Sequence, residues 1–155
     1  MKTNRTNPLY KVAVGGAILF LIGRMILRKG EAVRSLNANV TKVDWNRSEK
    51  TFVVFVRIIN PSNSSIQLSS IVGDVLWNGV YGATMSYLTK TELKPLEEQT
   101  LQIPVKPNLE WTSLILNIIK QGKKAFNGTF EIKGVVNAEG LVVPFEYKNK
   151  IELFS

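Results

Sequence analysis

Asp74 stands out among the acids of this chain, alternating with Val72 and Leu76 inside an apolar strand pattern. A carboxylate there could serve as a general acid or base if a second titratable group converged on it. The bland expectation is a solvent-facing or turn-bonded side chain. The chain contains no histidine and no cysteine. That removes imidazole base catalysis, the commonest metal ligand, thiolate metal sites, disulfides and a lipid-modified cysteine. A hydrolytic nucleophile would need a lysine as its base, and no motif provides one. There is no glycine-rich phosphate loop and no calcium loop. Lys120, Lys123 and Lys124 cluster where a helix is expected to end. Cations there suit a helix C-terminus and solvent; contact with anionic lipid or an acidic partner is the alternative. Asn4, Asn39, Asn46, Asn63 and Asn127 each begin an Asn-x-Ser/Thr sequon, which carries weight only in a secretory context. The expectation is a non-enzymatic protein with no catalytic residue, cofactor or metal.

Charge is divided unevenly along the 155 residues. Residues 1–34 carry seven Lys or Arg against Glu31 alone; the remainder has thirteen basic and eleven acidic residues. A nucleic-acid binder puts its charge on the folded surface. Here the excess flanks a hydrophobic segment, which argues against nucleic acid as a partner. The expected organisation is a tail, anchor helix and basic linker over 1–34, then one β domain over 35–155.

The uncharged run Val12–Gly23 is 12 residues long, about 18 Å as a helix, too short for a hydrocarbon core of roughly 30 Å. Extending it over residues 9–27 gives 19 residues and about 28 Å. Lys11 and Arg24 then fall near its ends, where long basic side chains reach the headgroups. Tyr10 takes an interfacial aromatic position, and Arg28 and Lys29 flank the far end. Three placements fit the segment. One is a single-pass anchor in a lipid bilayer. Another is a cleaved signal peptide, opposed by Arg24 and Arg28 where small residues should stand. The third is a helix buried in a neighbouring protein. Ala13, Gly16, Ala17 and Gly23 are small enough to form a close-packing face. Flanking charge is too balanced to fix orientation, with a weak lean to the cytoplasmic or internal side.

The β pattern centres on residues 51–77. Phe52, Val54, Val56 and Ile58 fall on one face of a strand; Val53, Phe55 and Ile59 on the other, with Arg57 the exception. Two apolar faces predict a central strand. Pro61 ends it, since proline cannot donate to the ladder. Asn78-Gly79 predicts a type I′ hairpin. Before this stretch, the apolar phase shifts between Val40 and Val43, which predicts a β-bulge; residues 46–49 form the turn. After it come a looser strand over 80–88, a loop over 93–99, and a strand with Leu101, Ile103 and Val105 on one face. Pro104 places that strand at an edge or bulge. Trp111, Leu114, Ile115, Ile118 and Ile119 follow helical spacing from Asn108 to Gly122, with Trp111 expected in the core. A final hairpin has Phe130 and Ile132 opening its first strand. Val143, Phe145, Tyr147, Ile151 and Leu153 line one face of the second, and Glu146, Lys148, Lys150 and Glu152 the solvated face.

The succession VRIINPSNSSIQLSSIVGDVLWNGV, with Asn60, Pro61, Asn78 and Gly79 in order and spacing, resembles the type 2 late embryogenesis abundant domain. That domain is also called the water-stress and hypersensitive response domain. The resemblance runs from about Leu36 to Leu153. It implies an all-β, fibronectin- or immunoglobulin-like sandwich of about seven strands with one short inserted helix. It also implies a stress- or desiccation-linked protective role, and it brings no catalytic residues. The function expected is therefore a binding or protective module at a membrane surface. The alternative is a structural subunit of an envelope complex or membrane-containing virion, docked to a protein neighbour.

Overall fold

The computed structural model describes residues 27–46, 48–121 and 127–152. A helix, α1, covers residues 27–34. It is followed by β1 (Asn37–Asn46), β2 (Thr51–Ile59), β3 (Ile66–Trp77), β4 (Val80–Tyr87), β5 (Thr91–Leu93), β6 (Glu98–Val105), α2 (Leu109–Gln121), β7 (Asn127–Ala138) and β8 (Leu141–Glu152). The strands make two antiparallel sheets, ordered β1-β2-β6 and β4-β3-β7-β8, with β5 also on β3. This is an all-β sandwich.

There are eight strands among the described residues, against the about seven that the resemblance implies. The extra one is β5, inside the expected loop over 93–99 and the residues before it. β5 pairs with Ile66–Leu68 on the same edge of β3 that β4 pairs with from Ile71 onward. The two therefore share one lane, interrupted at residues 88–90, and the sandwich has seven strand positions.

The local expectations hold where backbone chemistry decides. β2 is the middle strand of its sheet. The register of β1 against β2 shifts between Val40 and Lys42, at the predicted bulge. Pro104 lies on β6, an edge strand, opposite Val53. Asn78 and Gly79 have φ of 49° and 80°, as a type I′ turn requires. Glu139 and Gly140, at 49° and 78°, make a second such turn between β7 and β8. The side chain of Asn46 accepts from the Ser48 and Glu49 amides in the β1–β2 turn.

The core lies between the sheets. Phe52, Val54, Val56 and Ile58 are buried, while the opposite face of β2 is half-covered rather than interior. On that outer face Lys42 Nζ sits 5.5 Å above the Phe55 ring. Phe52 joins the layers at one end: its ring is 4.9 Å from Trp45, 5.8 Å from Phe130 and 6.3 Å from Trp111. α2 closes this end through Trp111 and Ile115. Leu114, expected on the same helix face, is 45 % exposed, because the contact stripe is narrower than the apolar spacing. Ile118 and Ile119 have no described side chains.

One expectation is corrected. The residues before Ser35 are expected to be tether, with a basic linker over 30–34. Instead residues 27–34 are helical, and Ala32 and Val33 belong to the core cluster with Leu36. Burying those apolar side chains outweighs the polarity of their neighbours.

Candidate functional site

The candidate site is the end of the sandwich that carries α1. Ser35 ends the helix: its amide donates to the Glu31 carbonyl at 3.1 Å and its hydroxyl to the Ala32 carbonyl at 2.7 Å. Ala32 and Val33 face the core, leaving Leu27, Arg28, Lys29, Glu31 and Arg34 exposed. Gly30 rests over the β7–β8 hairpin, where an added Cβ would stand 3.9 Å from Leu141 Cδ1. Lys29 Nζ reaches Glu139 Oε1 in the hairpin turn at 3.3 Å. The same carboxylate accepts from the Gln67 amide at 2.9 Å, and the Glu139 amide donates to the Gln67 carbonyl at 3.0 Å. Helix, hairpin tip and the start of β3 are thus tied together.

Asn60 organises the loops beside them. It is fully buried. Its Nδ2 donates to the carbonyls of Ser64 (2.9 Å), Leu93 (3.2 Å) and Lys94 (2.9 Å). Its Oδ1 accepts from the Ser62 amide (3.1 Å) and hydroxyl (2.7 Å), and its own amide donates to the Glu97 carbonyl (2.9 Å). One side chain therefore satisfies two loops that would otherwise bury bare carbonyls. Pro61, exposed, follows at the strand end. Asn78 does comparable work at the far end. Its Oδ1 accepts from the Thr129 amide at 2.8 Å and its amide donates to the Thr129 carbonyl at 2.8 Å.

Two open depressions flank α1 and share Glu31. One, of about 540 Å³, is lined by Arg28, Glu31, Ser35, Ser62, Asn63 and Ser64, among others. The other, of about 490 Å³, lies between Leu27 and Leu141 and is rimmed by Lys29, Arg34 and Glu139. The first offers hydrogen bonds and charge; the second adds apolar surface. Both are open depressions rather than enclosed cavities.

The sequence-singled residues are scattered. Asp74 is exposed on the outer face of the larger sheet, in register with Thr84 and Lys133. Trp111 is core, at 5 % exposure. Arg28 and Lys29 lie on α1, whereas Tyr10, Lys11 and Arg24, with nearly all of the expected anchor, fall outside the described residues, as do Lys123 and Lys124. Among the described residues no helix is long and apolar enough to cross a membrane.

Sequence reasoning passed over Glu131. It is nearly buried on the outer face of β7, opposite Lys148 of β8. Lys148 Nζ is 2.9 Å from its Oε1 and Lys133 Nζ 3.8 Å from its Oε2. The Lys148 hydrogen bond holds the Glu131 carboxyl below its ordinary value of 4.5; burial opposes this, and the Lys148 and Lys133 charges add to it. The Lys148 ammonium is raised in turn, chiefly by the same hydrogen bond. The hairpin register, which sets Glu131 across from Lys148, was the available signal.

No protein-family model matches the chain, and no curated protein matches it. Solved structures do share the fold. An Arabidopsis thaliana protein solved in solution is 20 % identical, with a TM-score of 0.59 over 76 % of this chain and 82 % of that one. A protein provisionally described as late embryogenesis abundant (LEA) is 17 % identical, with a TM-score of 0.49 over 94 % of this chain and 87 % of that one. An Archaeoglobus fulgidus protein is 18 % identical, with a TM-score of 0.47 over 76 % of this chain and 92 % of that one. At 20 % identity the likeness to the Arabidopsis thaliana protein is one of fold alone.

Proposed function

We propose that this chain is a non-enzymatic, LEA-like binding or protective module, held at a membrane surface by residues 9–27. The observation that carries the reading is the state of Leu27. It is the last residue of the apolar segment and the first described residue of the sandwich, and it is 70 % exposed. Arg28 and Lys29 follow it at once, in the position of headgroup-facing cations. The sandwich supplies a packed two-sheet body, suited to acting by contact. The stress-linked role follows from the resemblance around Asn60-Pro61 and Asn78-Gly79.

Vesicle flotation of the full chain tests the anchor. The intact chain is expected to float with phosphatidylcholine–phosphatidylglycerol vesicles, and the Leu19→Arg, Leu21→Arg double variant to remain in the dense fraction. Equal flotation of both would refute an anchor in this segment. The protective role predicts that vesicles carrying the chain retain an entrapped dye through drying and rehydration better than bare vesicles do.

A second reading, a structural subunit of an envelope complex or membrane-containing virion, draws on the opposite end. There Leu109 is 86 % exposed, and Val80 and Tyr81 are also exposed. Crosslinking in native material separates the two: one stoichiometric protein neighbour favours the subunit, and scattered contacts favour the module.

A further inference from the structure

We infer that the tip of the β7–β8 hairpin is a second membrane contact, with Val142 and Leu141 entering the headgroup region of the same bilayer that takes up residues 9–27. The inference rests on the anchoring proposed above and extends it to a part of the fold 114 residues further along the chain from Leu27 to Leu141.

The geometry follows from where the apolar segment ends. As the anchor proposed above, a helix over residues 9–27 would be about 28 Å long, close to the thickness of a bilayer's hydrocarbon core, which would bring Leu27 to the boundary between acyl chains and headgroups. Leu27 and Leu141 line one depression. Lys29, two residues on, is bonded to Glu139 in the hairpin turn. The boundary that holds Leu27 therefore passes within a side chain's length of the hairpin tip. An interfacial element sinks roughly 5–10 Å into this zone.

The side chains at the tip suit that place. Val142 is 61 % exposed and Leu141 37 % exposed. Val142 begins the outward row of a strand whose later outward positions, Glu146, Lys148 and Lys150, are charged and exposed, while Leu141 faces the depression beside Leu27. The nearby charges favour anionic lipid. Arg28, Lys29 and Arg34 stand against Glu31 and Glu139. Glu139 is already engaged by Lys29 and the Gln67 amide. Glu31 lies three residues from both Arg28 and Arg34 on one helix. The rim thus keeps a positive excess, as cytoplasmic-leaflet lipids and other anionic surfaces attract. Val80, Tyr81 and Leu109 form a comparable apolar group at the opposite end, but the chain does not enter the sandwich there, which makes that end the internal control.

The absence of cysteine from the whole chain makes the test clean. Single variants Val142→Cys and Val80→Cys, in the full chain, are labelled with an environment-sensitive nitrobenzoxadiazole dye. They are then reconstituted in phosphatidylcholine–phosphatidylglycerol vesicles. The label at 142 is expected to shift to the blue and to lose its emission several-fold when nitroxide lipid is added; the label at 80 should do neither. Flotation of the labelled chain is read on the same sample. A chain that floats without quenching at 142 overturns the hairpin contact and leaves the anchor standing. A chain that does not float overturns both. A blue shift at 142 that nitroxide lipid does not quench assigns the tip to a protein neighbour and overturns lipid contact.

Discussion

Gly82 lies flat against the indole of Trp111, so close that a Cβ at position 82 would fall inside the ring. The Gly82 carbonyl accepts from the Asn108 amide at 2.8 Å, and Asn108 Oδ1 caps α2 by accepting from the Trp111 amide at 2.9 Å. One backbone position on β4 therefore seats both the start of the helix and its main anchor. Gly82→Ala is expected to displace Trp111 and cost about 1–3 kcal/mol. Urea unfolding followed by tryptophan fluorescence measures it. An unchanged midpoint would mean that Trp111 does not pack here.

Gly79→Ala separates strain from crowding. Nothing lies within 4 Å of a Cβ built at Gly79, but its φ is +80°. The expected loss is about 1–2 kcal/mol, the cost of the left-handed region for an L-residue with a side chain. Gly79→Asn should lose less, since asparagine visits that region more readily. A Gly79→Asn loss as large as that of alanine would contradict the type I′ assignment.

Asn60→Ala removes a buried amide that serves three carbonyls and two donors. Leaving such groups unpaired costs about 1–3 kcal/mol for each that water does not reach. The loss should therefore exceed that of either glycine variant. Asn60→Asp keeps the shape but replaces the donating NH₂ with an acceptor among carbonyls, and should be no more stable than Asn60→Ala at neutral pH. Amide exchange of Ser62, whose N–H donates to the Asn60 side chain, gives the local readout.

The Glu131–Lys148 pair predicts a pH dependence with a definite sign. The Glu131 carboxyl is lowered in the folded chain, so its contribution is present above its ordinary 4.5 and is lost as pH falls through the folded value. The Lys148 ammonium is raised, so its contribution is full below its ordinary 10.5 and is lost as pH rises through the folded value. Glu131→Gln is expected to lower the unfolding midpoint at neutral pH and to converge on the parent in acid below pH 4.5. A constant difference across the whole acid limb would show that the carboxylate charge is not what matters.

What the sequence determined by itself is what short-range backbone chemistry decides. Asn78-Gly79 must turn because asparagine and glycine tolerate positive φ. Pro61 must end a ladder and Pro104 must sit at an edge because proline has no N–H to give. The two apolar faces of β2 name it a central strand, and the phase slip in β1 names its bulge. Each of these preferences is settled within a few residues of chain. The tertiary structure alone decided which surfaces meet. Residues 30–34 look like a basic linker, yet Ala32 and Val33 become core because two sheets leave a gap that fits them. Asn60 finds acceptors in a loop more than thirty residues away. Glu131 becomes nearly buried only once Lys148 and Lys133 close over it. Burial and long-range hydrogen bonding depend on the packed arrangement of distant segments, and no local pattern of residue types encodes it.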